Sequence, residues 1–121
     1  MEPNITDVKF LPAAHKDLSL IDKKQCYEVV TRCWQLRVNP IPPQAEPVIS
    51  CKKKGYEIYR LKRWEFPNYR VLYAIDEIES KIVIFGIMAR SENYDMDGKY
   101  MSRIINDYIA YFKRGDVNVT R

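Results

Sequence analysis

The sequence predicts a mixed α+β fold: a strand, two helices, a three-stranded antiparallel meander and a C-terminal helix, with the helices packed on one sheet face. Two observations predict it. Apolar residues recur at helical spacing in 22–38 and again in 97–112. Between them, three runs rich in β-forming residues follow one another over 56–89. The first strand has to join a sheet that already holds three strands. The helices are expected on one face of this sheet, so its other face is expected to stay partly open.

The N-terminal part supplies the first strand and two helices. Residues 5–11 alternate as a strand does, and Pro12 suits the first turn of a short helix that ends at Leu18. Asp22 can cap a second helix over 22–38. Its apolar face consists of Cys26, Val29, Val30, Cys33 and Leu36. Four prolines in 39–47 then predict a loop.

The C-terminal part supplies the meander and the last helix. The three strands are predicted over 56–64, 69–76 and 81–89. Asp97 can cap a final helix. Its broad apolar stripe consists of Tyr100, Met101, Ile104, Ile105, Tyr108, Ile109 and Phe112. We expect residues 114–121 to form a frayed tail.

Length and composition limit the classes of protein. A chain of 121 residues has room for a single domain over 1–121, and 46% hydrophobic with 30% charged residues is typical of a globular protein. No apolar run is long enough to cross a bilayer, and the N-terminus lacks the features of a signal peptide, so a cytoplasmic location is expected. Three cysteines without a Cys-x-x-Cys pair predict neither disulfides nor a metal site, and we expect no cofactor. His15 is the single histidine, so a histidine-based catalytic triad is not expected.

The positive charge is concentrated in one stretch. Residues 52–73 hold seven basic and two acidic side chains, a net charge of +5, whereas the whole chain carries +4. Such a patch attracts phosphate backbones, although a solvated charged face is the plainer alternative. The RNA-binding residues predicted from this stretch are Lys52, Lys53, Lys54 and Arg63.

Strand alternation predicts a cluster of cations on the sheet. Arg60 and Lys62 lie two residues apart and so share a face, and Arg70 lies within cross-strand reach of them. Arg90 and Tyr94 follow the last strand, where a loop can carry them over the same surface. Fixed cations on an open sheet face predict a phosphate-binding site.

The same residues carry a family resemblance. Tyr59-Arg60-Leu61-Lys62, then the block Tyr-Arg-Val-Leu-Tyr-Ala-Ile-Asp at 69–76, then Arg90-Ser91-Glu92-Asn93-Tyr94, resemble the pattern of the RelE/ParE superfamily of type II toxins. The match is strong over about 55–95 and extends to residue 5 by the order of the elements. It does not extend to 97–121, which is longer than the usual RelE end.

The resemblance implies a RelE-like fold, a cognate antitoxin that forms a hetero-oligomer with the toxin, and ribosome-dependent endonucleolytic cleavage of mRNA. A ribose 2′-hydroxyl would attack the adjacent phosphate. The resemblance places Arg60 and Lys62 at two basic strand positions, one near the nucleophile and one near the phosphate. It makes Arg70 the arginine that stabilises the negative charge of the transition state. It places Arg90 near the leaving group and Tyr94 against a base. Arginine cannot act as a base, so Lys62, with its pKa lowered by cationic neighbours, is the predicted base.

Two alternatives stay open on this fold. A ParE-type toxin inhibits DNA gyrase without catalysis and does not need the cationic cluster. A catalytically inactive RNA- or partner-binding module is the third possibility, and the wide apolar stripe of the last helix fits it. One departure also bears on the site: residues 86–89 are apolar where the family often has bases, so the alignment of Arg90 can shift by about two positions.

Overall fold

The computed structural model describes residues 5–61, 69–89 and 98–119, with the side chains of the last helix described as far as Lys113. The elements in chain order are β1 (Asp7–Phe10), α1 (Pro12–Ser19), α2 (Lys23–Gln35), β2 (Ala45–Pro47), α3 (Ile49–Lys52), β3 (Tyr59–Leu61), β4 (Tyr69–Asp76), β5 (Lys81–Ala89) and α4 (Lys99–Val119). The predicted α+β class is confirmed, and each predicted helix and strand has a counterpart. The predictions of a single domain over 1–121 and of a frayed tail over 114–121 stay predictions.

The five strands form one sheet in the order β1-β5-β4-β3-β2. β1 pairs with β5 in parallel, and the remaining pairs are antiparallel. The prediction that 39–47 is wholly loop was wrong at its end, where β2 pairs with β3. β2 is an edge strand, and its final residue, Pro47, is tolerated there because an edge strand leaves one side without ladder hydrogen bonds.

Helices α1 and α2 cover one face of the sheet. Ala14 and Leu18 of α1, with Val29 and Cys33 of α2, are buried together with alternate residues of β4 and β5. Local signals in the sequence start both helices: Pro12 is the first residue of α1, and the Asp22 side chain accepts a hydrogen bond from the Lys24 amide at 3.2 Å.

Helix α4 lies on the opposite face, which differs from the expectation that all helices pack on one side. Met101 and Ile104 are buried against Leu72, Ala74 and other residues that point away from α1 and α2. The physical reason is the breadth of the apolar stripe on α4, which needs a sheet surface of its own. That surface belongs to the same sheet face that carries Arg60 and Arg70. Within the described residues, no helix is long and apolar enough to cross a membrane.

Candidate functional site

Arg60 and Arg70 lie close together on one sheet face. Arg60 of β3 stands directly opposite Leu72 of β4, and Arg70 lies two residues from Leu72 on the same strand. Residues two apart on a strand share a face, so the two arginines are diagonal cross-strand neighbours, with Cβ atoms roughly 7–8 Å apart. The sequence prediction that Arg70 lies within reach of the first basic strand is confirmed for Arg60.

Arg60 forms an ion pair that the sequence analysis did not foresee. Its Nη2 contacts Oε1 of Glu46, the residue that stands opposite it in β2, and the two side chains are 22% and 37% exposed. The signal was hidden because β2 falls in a stretch whose prolines predict a loop. The site therefore contains a carboxylate as well as two cations.

Arg70 is buried, with 8% of its surface exposed. Its Nη1 donates a hydrogen bond to the carbonyl oxygen of its neighbour Tyr69 at 3.0 Å. Tyr69 lies on the opposite face, where its hydroxyl donates to Oε1 of Gln25 on α2 at 2.8 Å. Arg70 is thus more enclosed in this structure than a cation on an open sheet face would be.

The three lysines of the basic stretch are exposed. Lys52 ends α3, and Lys53 and Lys54 follow it in a turn that closes at Gly55, whose φ of 86° favours glycine. Val48 and Cys51, from the same short segment, are buried on the α4 side of the sheet. The segment that carries the lysines therefore packs on the sheet face that also carries Arg60.

Four predicted site residues fall outside the described part of the chain. These are Lys62, Arg63, Arg90 and Tyr94. Their assigned roles stay predictions. Among the described residues, no group of three or more His, Cys, Asp or Glu side chains is arranged to hold a metal ion.

A polar cluster that was not predicted from the sequence joins the beginning of α4 to Asp17 of α1. Oδ2 of Asp17 accepts hydrogen bonds from the Ile87 amide at 3.0 Å and from the Tyr100 hydroxyl at 3.3 Å. Nη2 of Arg103 lies 3.3 Å from the same oxygen and donates to the Phe85 carbonyl at 3.1 Å. The Arg103 guanidinium also stacks on the Tyr100 ring, with 4.6 Å to its centroid. Burial, and next the charge of Asp17, raise the pKa of the Tyr100 hydroxyl well above its ordinary value.

This cluster borders the arginine surface. Glu46, Arg60, Leu72 and Gly86 stand opposite one another on β2, β3, β4 and β5 and form one row across the sheet. Tyr100 and Arg103 lie directly above Gly86, so close that a Cβ at that position would collide with both. Two strand spacings, roughly 10 Å, separate Gly86 from Arg60. The beginning of α4 therefore forms one wall of the surface that carries Arg60 and Arg70.

Comparisons with known proteins settle the family. The model of the ParE toxin of type II toxin-antitoxin systems, parDE, matches residues 8–94. The chain belongs to this family. The resemblance to the RelE/ParE superfamily is thereby confirmed, and the protein is a toxin of a type II toxin-antitoxin system. A search of curated proteins found no match. The matched range ends before α4 begins.

Solved structures of RelE toxins share the fold. The RelBE2 toxin-antitoxin complex from Mycobacterium tuberculosis is similar with a TM-score of 0.58 and 23% identity, over 74% of this chain and 100% of that chain. The archaeal RelE-RelB complex from Pyrococcus horikoshii OT3 gives 0.51 and 17%, over 71% and 96%. A mutant of Escherichia coli toxin RelE in the free state gives 0.59 and 12%, over 88% and 98%.

Proposed function

We propose that this toxin is a ribosome-dependent endoribonuclease that cleaves mRNA in the cytoplasm and so inhibits translation. The observation that supports the proposal is the placement of Arg60 and Arg70 as neighbours on one sheet face, and the exposed lysines of 52–54 add positive charge to the same stretch of the sequence. The two arginines place two guanidinium groups on the same sheet face. Bound to one phosphate, they would stabilise the negative charge that grows as the 2′-hydroxyl attacks.

Each residue has a distinct part in this proposal. Arg70 binds the phosphoryl oxygens in the transition state, Arg60 binds the same phosphate in the ground state, and Lys62 lies beside the nucleophile. Arg90 acts at the leaving group, and Tyr94 contacts a nucleobase of the RNA. Lys62 is the base predicted from the sequence, and the Glu46 carboxylate next to Arg60 is a second group able to accept the proton of the 2′-hydroxyl.

The proposed partner is an acidic antitoxin. The similar toxins from M. tuberculosis and P. horikoshii were solved as toxin-antitoxin complexes. An antitoxin segment rich in Asp and Glu would complement the +5 charge of 52–73 and compete with RNA for the same surface. Charge reversal at Arg60 together with Lys62 is expected to weaken antitoxin binding, measured by calorimetry. Unchanged affinity in that variant would contradict the proposed antitoxin site.

The decisive experiment replaces Arg70. Arg70→Ala should abolish mRNA cleavage in a primer-extension assay while ribosome binding stays near the wild-type level, because the strongest contact of Arg70 forms only in the transition state. Arg37→Ala is the control, since Arg37 is an exposed arginine in the turn that follows α2, the helix on the other side of the sheet. Arg70 is buried, so circular dichroism has to show that the variant is folded, and Arg70→Lys provides a milder second variant. A folded Arg70→Ala protein that remains fully toxic contradicts the nuclease mechanism.

Glu46 has its own test. Glu46→Gln keeps the shape of the side chain and removes its charge, so affinity for RNA should rise. If Glu46 accepts the proton, the single-turnover cleavage rate should nevertheless fall by about 10²-fold or more. A rate equal to that of the wild type would leave Glu46 with only an electrostatic role.

A gyrase inhibitor is the second candidate function. It is favoured by the pairing of Arg60 with Glu46 and by the burial of Arg70, which together present little charge to a phosphate. On that hypothesis, Arg70→Ala would keep its toxicity, induction would trigger DNA-damage signalling, and mRNA would stay whole. Growth assays of the variant beside an mRNA cleavage gel distinguish the two functions.

A further inference from the structure

Asp17 joins three parts of the fold through one carboxylate oxygen. Its Oδ2 accepts from the backbone of β5 at Ile87 and from Tyr100 of α4, and it forms an ion pair with Arg103 of α4. Asp17 itself belongs to α1, which packs on the opposite face of the sheet. Its side chain is 14% exposed, so the contacts are largely shielded from water.

These contacts satisfy backbone groups of β5 beyond the point where its pairing with β1 ends. β1 ends at Phe10, and the last backbone bond from its side runs from the Leu11 amide to the Ile84 carbonyl at 3.1 Å. Farther along the strand, Asp17 binds the amide of Ile87 and Arg103 binds the carbonyl of Phe85. Two side chains from different helices thereby satisfy the backbone of β5 at the part of the sheet that bears Arg70, which stands opposite Met88.

We propose that Asp17 is a positioning residue of the toxin's active surface. It holds the first turn of α4 and residues 85–88 of β5 at a fixed distance from Arg60 and Arg70, so that all of them present one rigid surface to the bound RNA. Asp17 acts through Arg103 and Tyr100. The inference rests on the proposed function, and it concerns residues of α4 that lie beyond the part of the chain matched by the family model.

The experiment compares two carboxylates that contact the same arginine. Asp17→Asn removes the buried partner of Arg103, whereas Asp107→Asn removes its exposed partner, 3.9 Å from Nε. With the full-length toxin in excess over mRNA-programmed ribosomes, Asp17→Asn should lower the maximal single-turnover rate by roughly 10- to 100-fold, because misplacement of about 1 Å has that effect. The toxin concentration at half-saturation should change by less than about twofold, and Asp107→Asn should match the wild type.

Further variants separate positioning from loss of stability. Tyr111→Phe loosens α4 at its far end, where the Tyr111 hydroxyl donates to Asp76 at 2.6 Å, and should leave the maximal rate unchanged. In the pair Asp17→Asn and Arg103→Gln, the loss of rate in the double variant should be smaller than the product of the two single losses, since both changes disrupt the Asp17–Arg103 contact. If Asp17→Asn fails to fold, Tyr100→Phe removes a single donor from the cluster and is expected to lower the rate in the same direction.

Each outcome decides the inference. A folded Asp17→Asn toxin with the wild-type maximal rate overturns it and leaves the proposed function intact, as does an equal loss of rate in Tyr111→Phe. If the wild-type toxin arrests growth while mRNA stays whole, the proposed function fails. The positioning role, which is defined toward bound RNA, is then overturned together with the proposed function.

Discussion

Gly86 is the position where a single methyl group should displace α4. A Cβ at Gly86 would come within 2.6 Å of Nη2 of Arg103 and 2.9 Å of Cδ1 of Ile104, and would also collide with the Tyr100 hydroxyl. Arg103 and Tyr100 are both held by Asp17, and Ile104 is fully buried. These side chains have to move to admit the methyl group, and movement of Tyr100 and Arg103 weakens their contacts with Asp17.

Two opposing contributions decide whether Gly86→Ala raises or lowers the free energy of unfolding. Replacing glycine by alanine restricts the unfolded chain and stabilises a protein by about 0.4–1 kcal/mol where the new side chain fits. Overpacking a well-filled site costs about 1–3 kcal/mol, and loss of the Asp17 hydrogen bonds adds to that cost. We therefore expect Gly86→Ala to lower the free energy of unfolding by about 1–3 kcal/mol and to lower the cleavage rate as well.

Urea unfolding followed by circular dichroism measures the stability, and amide hydrogen exchange locates the change. Faster exchange should be confined to the first turn of α4 and to the Ile87 amide. Gly55→Ala is the control, because a Cβ there meets no atom within 4 Å and strain arises only from the φ of 86°. A Gly86→Ala protein as stable as the wild type, with unchanged exchange at Ile87, would refute the described packing of α4.

Three further predictions follow from other contacts. Tyr73→Phe should cost about 1–3 kcal/mol in a urea melt, because the Tyr73 hydroxyl donates to the Pro40 carbonyl at 2.6 Å and the carbonyl would lose that bond; an unchanged midpoint contradicts this. Burial raises the pKa of Tyr73, Tyr100 and Tyr111, so the unfolded state loses these protons first, and the free energy of unfolding should fall as pH rises above about 10. Titrating stability from pH 8 to 11 tests this, with a shallower fall expected for Tyr73→Phe. Serine at all three positions of 52–54 should weaken ribosome binding and flatten its salt dependence, and an unchanged slope would remove these lysines from the RNA-binding surface.

The order and boundaries of most elements were predictable because each carries a local signal. Pro12 and Asp22 mark the starts of two helices, and alternation marks β4 and β5. The short strand β2 carries no such signal, since Pro47 and the preceding prolines indicate a loop. Its pairing depends on the partner strand β3, which lies 14 residues away at the Arg60–Glu46 contact. Periodicity within one segment does not contain that information.

The site was predictable only in its cations. Alternation and the family pattern placed Arg60 and Arg70 on one face, because strand geometry fixes which side a residue faces. The Asp17 cluster was not predictable, since Asp17 lies 70 or more residues before Ile87, Tyr100 and Arg103, and they meet only when α1 and α4 pack on opposite faces of the same strand. Gly86 gave one usable signal: a glycine inside a strong strand pattern indicates close approach by another element.

The ion pair between Arg60 and Glu46 is no obstacle to the proposed nuclease activity. Both side chains are partly exposed, and exposed ion pairs contribute about 0–1 kcal/mol to stability. An RNA phosphate that forms a bidentate pair with Arg60 can therefore displace the carboxylate at little cost in free energy. Displacement would leave Glu46 next to the phosphate, where a proton acceptor is needed. The burial of Arg70 is the stronger objection, because a residue that is 8% exposed has to become accessible before its guanidinium meets a phosphate. The two functions therefore differ most at Arg70, whose replacement removes toxicity from a nuclease and leaves a gyrase inhibitor toxic.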